Sequence, residues 1–347
     1  MSTPRASHAA IALPNGDVLF IGGCVEGSCE VGPASRTIDR YDSRTETIAR
    51  AGVIHVPRST MSAALLPDGR VLIAGGWSGP TVTDAIELYD PRAGRSRAAG
   101  ALAVARADIA QAVLPDGRVV LAGGINGRRM QSVIEVFDPA TNRVTVKGQL
   151  SVPRSGAATT VLGDGRVLIA GGYANGPQRQ VPSAAAELFD PRDGSVKPAG
   201  APILARYKHA AVTLRDGRVL VIGGSDARDR GGKIRTLEIY DPKTNRFTKA
   251  GETIDARYKI PDAAVLLPDG RVLIAGGAAQ AEIYDPATGR SVHAGPMLGE
   301  ALNFASATLL ADGSVLVVGG YSEDGLQVRD RVWRFTPPPS PIGTRAR

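Results

Sequence analysis

The chain has 347 residues, 43% of them hydrophobic and 22% charged, a balance that excludes a disordered polymer and supplies ample material for a core. No run of 18 apolar residues occurs, so no helical membrane span is expected, and the opening MSTPRASHAAIALPNGD lacks the charged-then-apolar pattern of a signal peptide. The net charge of +7 comes from 41 Lys and Arg against 34 Asp and Glu with no basic run of five, which argues against nucleic-acid binding and points at most to an acidic partner.

In chain order, the first predicted strand is the small, apolar HAAIAL. An Asn15-Gly16 turn follows, then a second strand ending on Gly22–Gly23, a third strand through Asp39 and Tyr41, and a short, poorly marked fourth. The same order then returns. Further paired glycines close apolar strands at Gly75–Gly76, Gly123–Gly124, Gly171–Gly172, Gly223–Gly224, Gly276–Gly277 and Gly319–Gly320, at intervals of 53, 48, 48, 52, 53 and 43 residues. Six positions before each pair stands another glycine (Gly16, Gly69, Gly117, Gly165, Gly217, Gly270, Gly313), preceded by Asn15 once and by aspartate in the other copies. Asn-Gly and Asp-Gly predict a tight hairpin in which both central residues tolerate positive φ. The β-branched runs such as RVLIAGG predict strands buried on both faces, with glycines where a neighbouring backbone comes close. Third strands end in ELYDP, EVFDP, ELFDP or EIYDP, and Asp-Pro opens the next turn.

Tandem four-stranded antiparallel units of 40–50 residues predict an all-β fold, a seven-bladed β-propeller spanning 1–336 with a proline-rich tail at 337–347. A phosphate-binding loop is excluded, because no Gly-Lys-Ser/Thr follows any glycine pair and no helix follows the strand. The seventh unit runs only to RVWRF (Arg331–Phe335), and the four prolines of TPPPSPIG cannot donate ladder hydrogen bonds. The last blade is therefore expected to have three good strands, or else a closing strand from a longer N-terminus than the present one.

Gly-Gly after an apolar strand, Tyr-Asp-Pro further on and an arginine before the first strand resemble the kelch repeat over residues 4–335. LPDGRVLIAGG, at Leu66–Gly76 and again at Leu267–Gly277, is similar to bacterial kelch proteins and to galactose-oxidase-like propellers. The family's fourth-strand tryptophan is absent. Ile48, Ser96, Val144, Val196, Phe247 and Ser291 stand in its place, so inter-blade packing must come from other side chains. The resemblance also implies that residues after Gly-Gly and after the arginine face the ligand side. Copper radical enzymes of the family carry Tyr-His where this chain has Tyr258-Lys259, so neither a metal nor another cofactor is expected. No motif specific for a kelch mutarotase is present.

Two sets of residues then compete for function. Arg5, Arg58, Arg106, Arg154 and Arg206 stand ten residues before the turn aspartate or asparagine, with Arg257 displaced by two extra residues. Asp39, Glu87, Glu135, Glu187, Glu238 and Glu282 recur on the third strands. These are either repeated buried ion pairs or, for Arg58, Arg106, Arg154 and Arg206, a ring holding an anionic group. The second set varies from blade to blade: Trp77, Tyr173 and Tyr321 after the glycines, and Tyr207-Lys208-His209 and Tyr258-Lys259 after the arginines. It predicts an aromatic, basic mouth. An acid–base role for Asp262, Lys259 and His209 is the chemical alternative. Cys24 and Cys29 predict a local disulfide and with it an oxidising compartment. The expected function is non-catalytic binding of a protein or carbohydrate ligand by a monomer; the alternative is a carbohydrate-acting enzyme, mutarotase-like or oxidase-like.

Overall fold

The computed structural model describes residues 1–26, 29, 32–176, 179–295, 298–323 and 327–339. Among them are six four-stranded antiparallel sheets and one three-stranded sheet, arranged as blades. Blade two shows the common plan: Ser62–Leu65, Val71–Ala74, Ala85–Asp90 and Arg95–Ala101, paired in that order. The first strands touch one another in cyclic order, and Ser306–Leu309 of blade seven meets Ala9–Ala12 of blade one. The innermost strands thus wall a central opening. Among the described residues blade seven has three strands, ending with Val332–Phe335. Of the proline-rich tail, residues 340–347 lie outside the described residues.

The hairpin turns differ from expectation. In blade two Gly69 N donates to Leu66 O (2.9 Å), so Pro67 and Asp68 are the central pair. Only Gly69 has positive φ (+86°), and Asp68 instead accepts from Arg70 N at 2.9 Å. Proline fixes the first central φ and the glycine forms the bulge that follows, a longer hairpin than the two-residue form.

Second strands such as Val71–Ala74 and Val119–Ala122 are buried throughout, and the hydrophobic clusters lie between blades. Leu72, Ile86 and Leu88 of blade two pack with Ile109, Leu121 and Phe137 of blade three. The missing tryptophans are replaced by the third-strand aromatics. Tyr89 is fully buried, its hydroxyl donates to Ala51 O of blade one (3.0 Å), and its ring lies over Gly52, where a Cβ would come within 2.9 Å. Tyr284 does the same to Ala250 O at 2.7 Å.

The glycine pair is the joint between blades. Gly76 N donates to Arg106 O (2.9 Å), and a Cβ on Gly75 would stand 2.3 Å from that oxygen. Equivalent bonds run from Gly23 to Arg58, Gly124 to Arg154, Gly172 to Arg206, Gly224 to Arg257, Gly277 to Leu302 and Gly320 to Arg5.

Candidate ligand site at the central opening

The repeated arginines are structural. Arg58 donates to Gly75 O (3.0 Å) and Ala85 O (2.8 Å) and pairs with Glu87 at 2.6 Å. Glu87 also accepts from His55 N (2.7 Å) and Val56 N (3.1 Å), on the segment arriving from blade one. Arg106, Arg154, Arg206 and Arg257 pair likewise with Glu135, Glu187, Glu238 and Glu282. In blade one the shorter Asp39 pairs with Arg5 and accepts from Ser2 N (2.9 Å) and Ser2 Oγ (2.6 Å). All these groups are at most 3% exposed. Arg58, Arg106, Arg154 and Arg206 are therefore sealed behind the loops and cannot form an anion-holding ring, because a desolvated guanidinium is held by its own carboxylate. In blade seven Leu302 takes the arginine's place, and Trp333, facing Val317, takes the acid's.

Just past each arginine the backbone turns left-handed. Ser7 (φ 48°), Thr60 (46°), Asp108 (50°), Gly156 (56°), Lys208 (55°), Lys259 (57°) and Phe304 (53°) stand at the same place in the seven blades. Their main chains are linked sideways: Thr60 N to Ser7 O (3.0 Å), Asp108 N to Thr60 O (3.2 Å), Gly156 N to Asp108 O (2.9 Å), Phe304 N to Lys259 O (2.7 Å) and Ser7 N to Phe304 O (3.2 Å). All seven line a central cavity of about 880 Å³. Left-handed backbone costs a non-glycine residue about 1–2 kcal/mol, and strain of this kind gathers at binding sites.

The belt has a basic, aromatic side. Lys208 Nζ lies 4.7 Å from the centre of the Tyr207 ring and 5.8 Å from that of Tyr258. Lys259 Nζ lies 4.9 Å from Tyr258, 5.1 Å from Tyr321 and 6.0 Å from Phe304. Tyr173 stacks on Tyr207 with centres 4.1 Å apart. The Tyr207 hydroxyl donates to Asp229 Oδ1 (2.5 Å), which also pairs with Lys208 Nζ (3.1 Å). Burial opposes ionisation of Asp229, but the Tyr207 hydrogen bond and the two ammonium groups outweigh it and hold the carboxyl below its usual range. Burial, then the charges of Asp229 and Glu323, push Tyr258 up to about 12.

Trp77, Tyr173, Tyr207, Lys208, His209, Lys259 and Tyr321 all line this cavity, whereas Tyr258 lies behind it, 2% exposed, as the surface on which the lysines rest. The tyrosines are less open than a mouth lining implies. Trp77, Tyr207 and Tyr321 are each at most 6% exposed and pack beneath the loops. His209 is buried, and desolvation, with the charge of Arg206, lowers its pKa to about 3. Cys24 and Cys29 are bonded, and the Cys29 carbonyl accepts from Ser59 Oγ (2.7 Å) at the cavity edge.

Sequence reasoning missed Asp108, Phe304 and Asp229. Phe304 stands two residues after Leu302, where the other blades have the arginine that marks the position, and Asp229 sits in a loop with no repeat register. A cue existed for Asp262. The two extra residues of blade six, Pro261-Asp262, swell into the lumen. Asp262 is exposed to the lumen yet enclosed by the ring, and that enclosure raises its pKa to about 6.

The family profile described as the kelch motif matches residues 206–252. Spermatocyte protein spe-26 of Caenorhabditis elegans is 28% identical over 142 residues, a match that spans 37% of this chain and only 23% of that protein. A solved structure titled as a novel fungal alcohol oxidase of the AA5 family, in complex with copper, superposes with a TM-score of 0.75 at 20% identity, covering 97% of this chain and 75% of that one. The lumen residues of this chain do not fit a copper centre. His8 Nε2 is bonded to Ser306 Oγ (2.9 Å), and Lys259 follows Tyr258. Among the described residues the one grouping of three His, Cys, Asp or Glu ligand atoms is Asp255, Glu282 and His293, none of which lines the cavity. Glu282 there is already engaged by Arg257 and two backbone N–H groups. The repeated glycine joints, the motif at 206–252 and the fold shared with the oxidase lead to one conclusion: the chain is a β-propeller that carries a kelch motif.

Proposed function

We propose that the protein is a non-catalytic binding module that takes an acidic glycan into the mouth of its central cavity. The observation that carries this reading is the pair Lys208 and Lys259, each held over aromatic rings beside a concave space of about 880 Å³. A cavity of that size suits a compact ligand better than a flat protein surface. Lysines at its rim select negative charge, and the tyrosine and phenylalanine faces suit the apolar faces of a sugar. The test is calorimetric titration with an oligogalacturonate, an acidic hexapeptide and maltotriose. Binding of the oligogalacturonate alone, weakened by salt and lost in the Lys208→Gln/Lys259→Gln double variant, is expected. Preference for the peptide would replace glycan by protein as the partner, and equal binding of maltotriose would remove the role of charge.

A second reading rests on Asp262. A lumen carboxyl with a pKa of about 6 is suited to general acid–base work, as a carbohydrate-acting enzyme would require. Turnover of a sugar that Asp262→Asn abolishes would favour it.

A further inference from the structure

The loop of blade five reaches across the mouth and places a carboxylate where an acidic ligand would bind. Asp229 begins the short 3-10 turn Asp229–Gly232 and has φ 52°, a left-handed conformation that an aspartate adopts at a cost. Its Oδ1 takes the Tyr207 hydroxyl and the Lys208 ammonium, and Ser225 Oγ donates to its main-chain carbonyl. The far end of the loop is tied elsewhere. Arg230 (3.1 Å) and Lys233 (2.5 Å) pair with Glu323 of blade seven, passing over blade six, where Ala278–Ala281 form only a short connection. The Asp229 side chain itself is half exposed.

Resting on the acidic-ligand reading, we infer that Tyr207 Oη and Lys208 Nζ, with Lys259 close by, form a carboxylate subsite, and that Asp229 fills it as a resident stand-in which a carboxylated ligand displaces. The geometry supports displacement over shared binding. The Tyr207 hydroxyl has one proton to donate and Asp229 holds it; the Lys208 ammonium has further N–H groups, but a second carboxylate there would sit against Asp229 and the two repel. The strained φ lowers the cost of release, and the Glu323 pairs keep the loop attached while its Asp229 end swings away.

The test compares wild type, Asp229→Asn and Asp229→Gly, the last chosen because glycine suits φ 52°. Oligogalacturonate and maltotriose are titrated into each, and amide hydrogen exchange is followed over 226–233. Asp229 removal is expected to tighten oligogalacturonate binding about tenfold, as when a site closed nine-tenths of the time is freed. Maltotriose should be unaffected, and exchange in the loop should rise. Weaker or unchanged oligogalacturonate binding in both variants, with wild type still binding, would make Asp229 a ligand contact or a bystander and overturn the inference alone. No oligogalacturonate binding by any of the three proteins would overturn the acidic-ligand reading with it.

Discussion

Glu135→Leu isolates one buried pair in the middle of the ring. Glu135 lies 2.5 Å from Arg106 Nη1 and accepts from Ala103 N at 2.8 Å. Arg106 donates besides to Val104 O (3.0 Å) and Gly123 O (2.8 Å). Removing the acid strands a guanidinium that has no water around it, a loss of about 3–5 kcal/mol. Arg106→Met strands the carboxylate and frees two carbonyls, a loss of about 4–6 kcal/mol. The double variant strands no charge. It leaves one N–H and two carbonyls without partners, about 3–5 kcal/mol in all at the usual cost of a buried unpaired polar group. The single losses therefore should not add: the double variant is expected to fall short of their sum by about 5 kcal/mol. Urea unfolding of the four proteins of the cycle measures this. Losses that add to within about 0.5 kcal/mol would show that the two groups do not depend on each other.

Other consequences are open to equally direct checks. Gly75→Ala puts a Cβ 2.3 Å from Arg106 O at φ 63°, so a loss of more than about 3 kcal/mol is expected in the same unfolding assay; Gly69→Ala, with open space around its Cβ, should lose only the φ cost of about 1–2 kcal/mol. His8 and His209 are held neutral, both with pKa lowered to about 3 by burial and then by the neighbouring Arg5 and Arg206. The unfolded chain takes up these protons below pH 6.5 and the folded chain does not, so stability should fall as pH drops from 6.5 toward 3, by about 1.4 kcal/mol per pH unit for each histidine. His209→Phe should halve that slope in denaturation curves run between pH 6 and 4.5; an unchanged slope would place the proton uptake elsewhere. Asp262, ionised above about pH 6, should weaken oligogalacturonate binding between pH 5 and 7, and Asp262→Asn should flatten that dependence.

The frame was legible in the chain because each of its constraints is local and repeated. Gly-Gly at one offset and an Asp-Gly or Asn-Gly turn in all seven blades, with an arginine and an acid at fixed places in six of them, serve contacts between the same neighbouring strands from blade to blade. The turn type was misread because Asp68 and Gly69 were taken as the central pair, whereas Leu66 O closes on Gly69 N and brings Pro67 into the centre. The site was only partly legible. Tyr207, Lys208 and Lys259 stand out as departures from the repeat, and the structure brings them together. Asp229 does not, because its approach to Tyr207 and Lys208 depends on a loop path that no periodicity encodes. The left-handed belt was hidden for a different reason. Its seven members share a backbone angle and no side-chain chemistry, and two residues before Phe304 stands Leu302 where every other blade has an arginine.

In a linear array of repeats the outermost units are weakest, since each lacks one neighbour. Here Gly320 N meets Arg5 O at 3.0 Å, and a Cβ on Gly319 would strike the same oxygen at 2.3 Å, so the seam between blades seven and one is the joint found at every other boundary. No blade is a terminal one. To let go, any blade must break two joints together, and the hoop offers no end from which to fray.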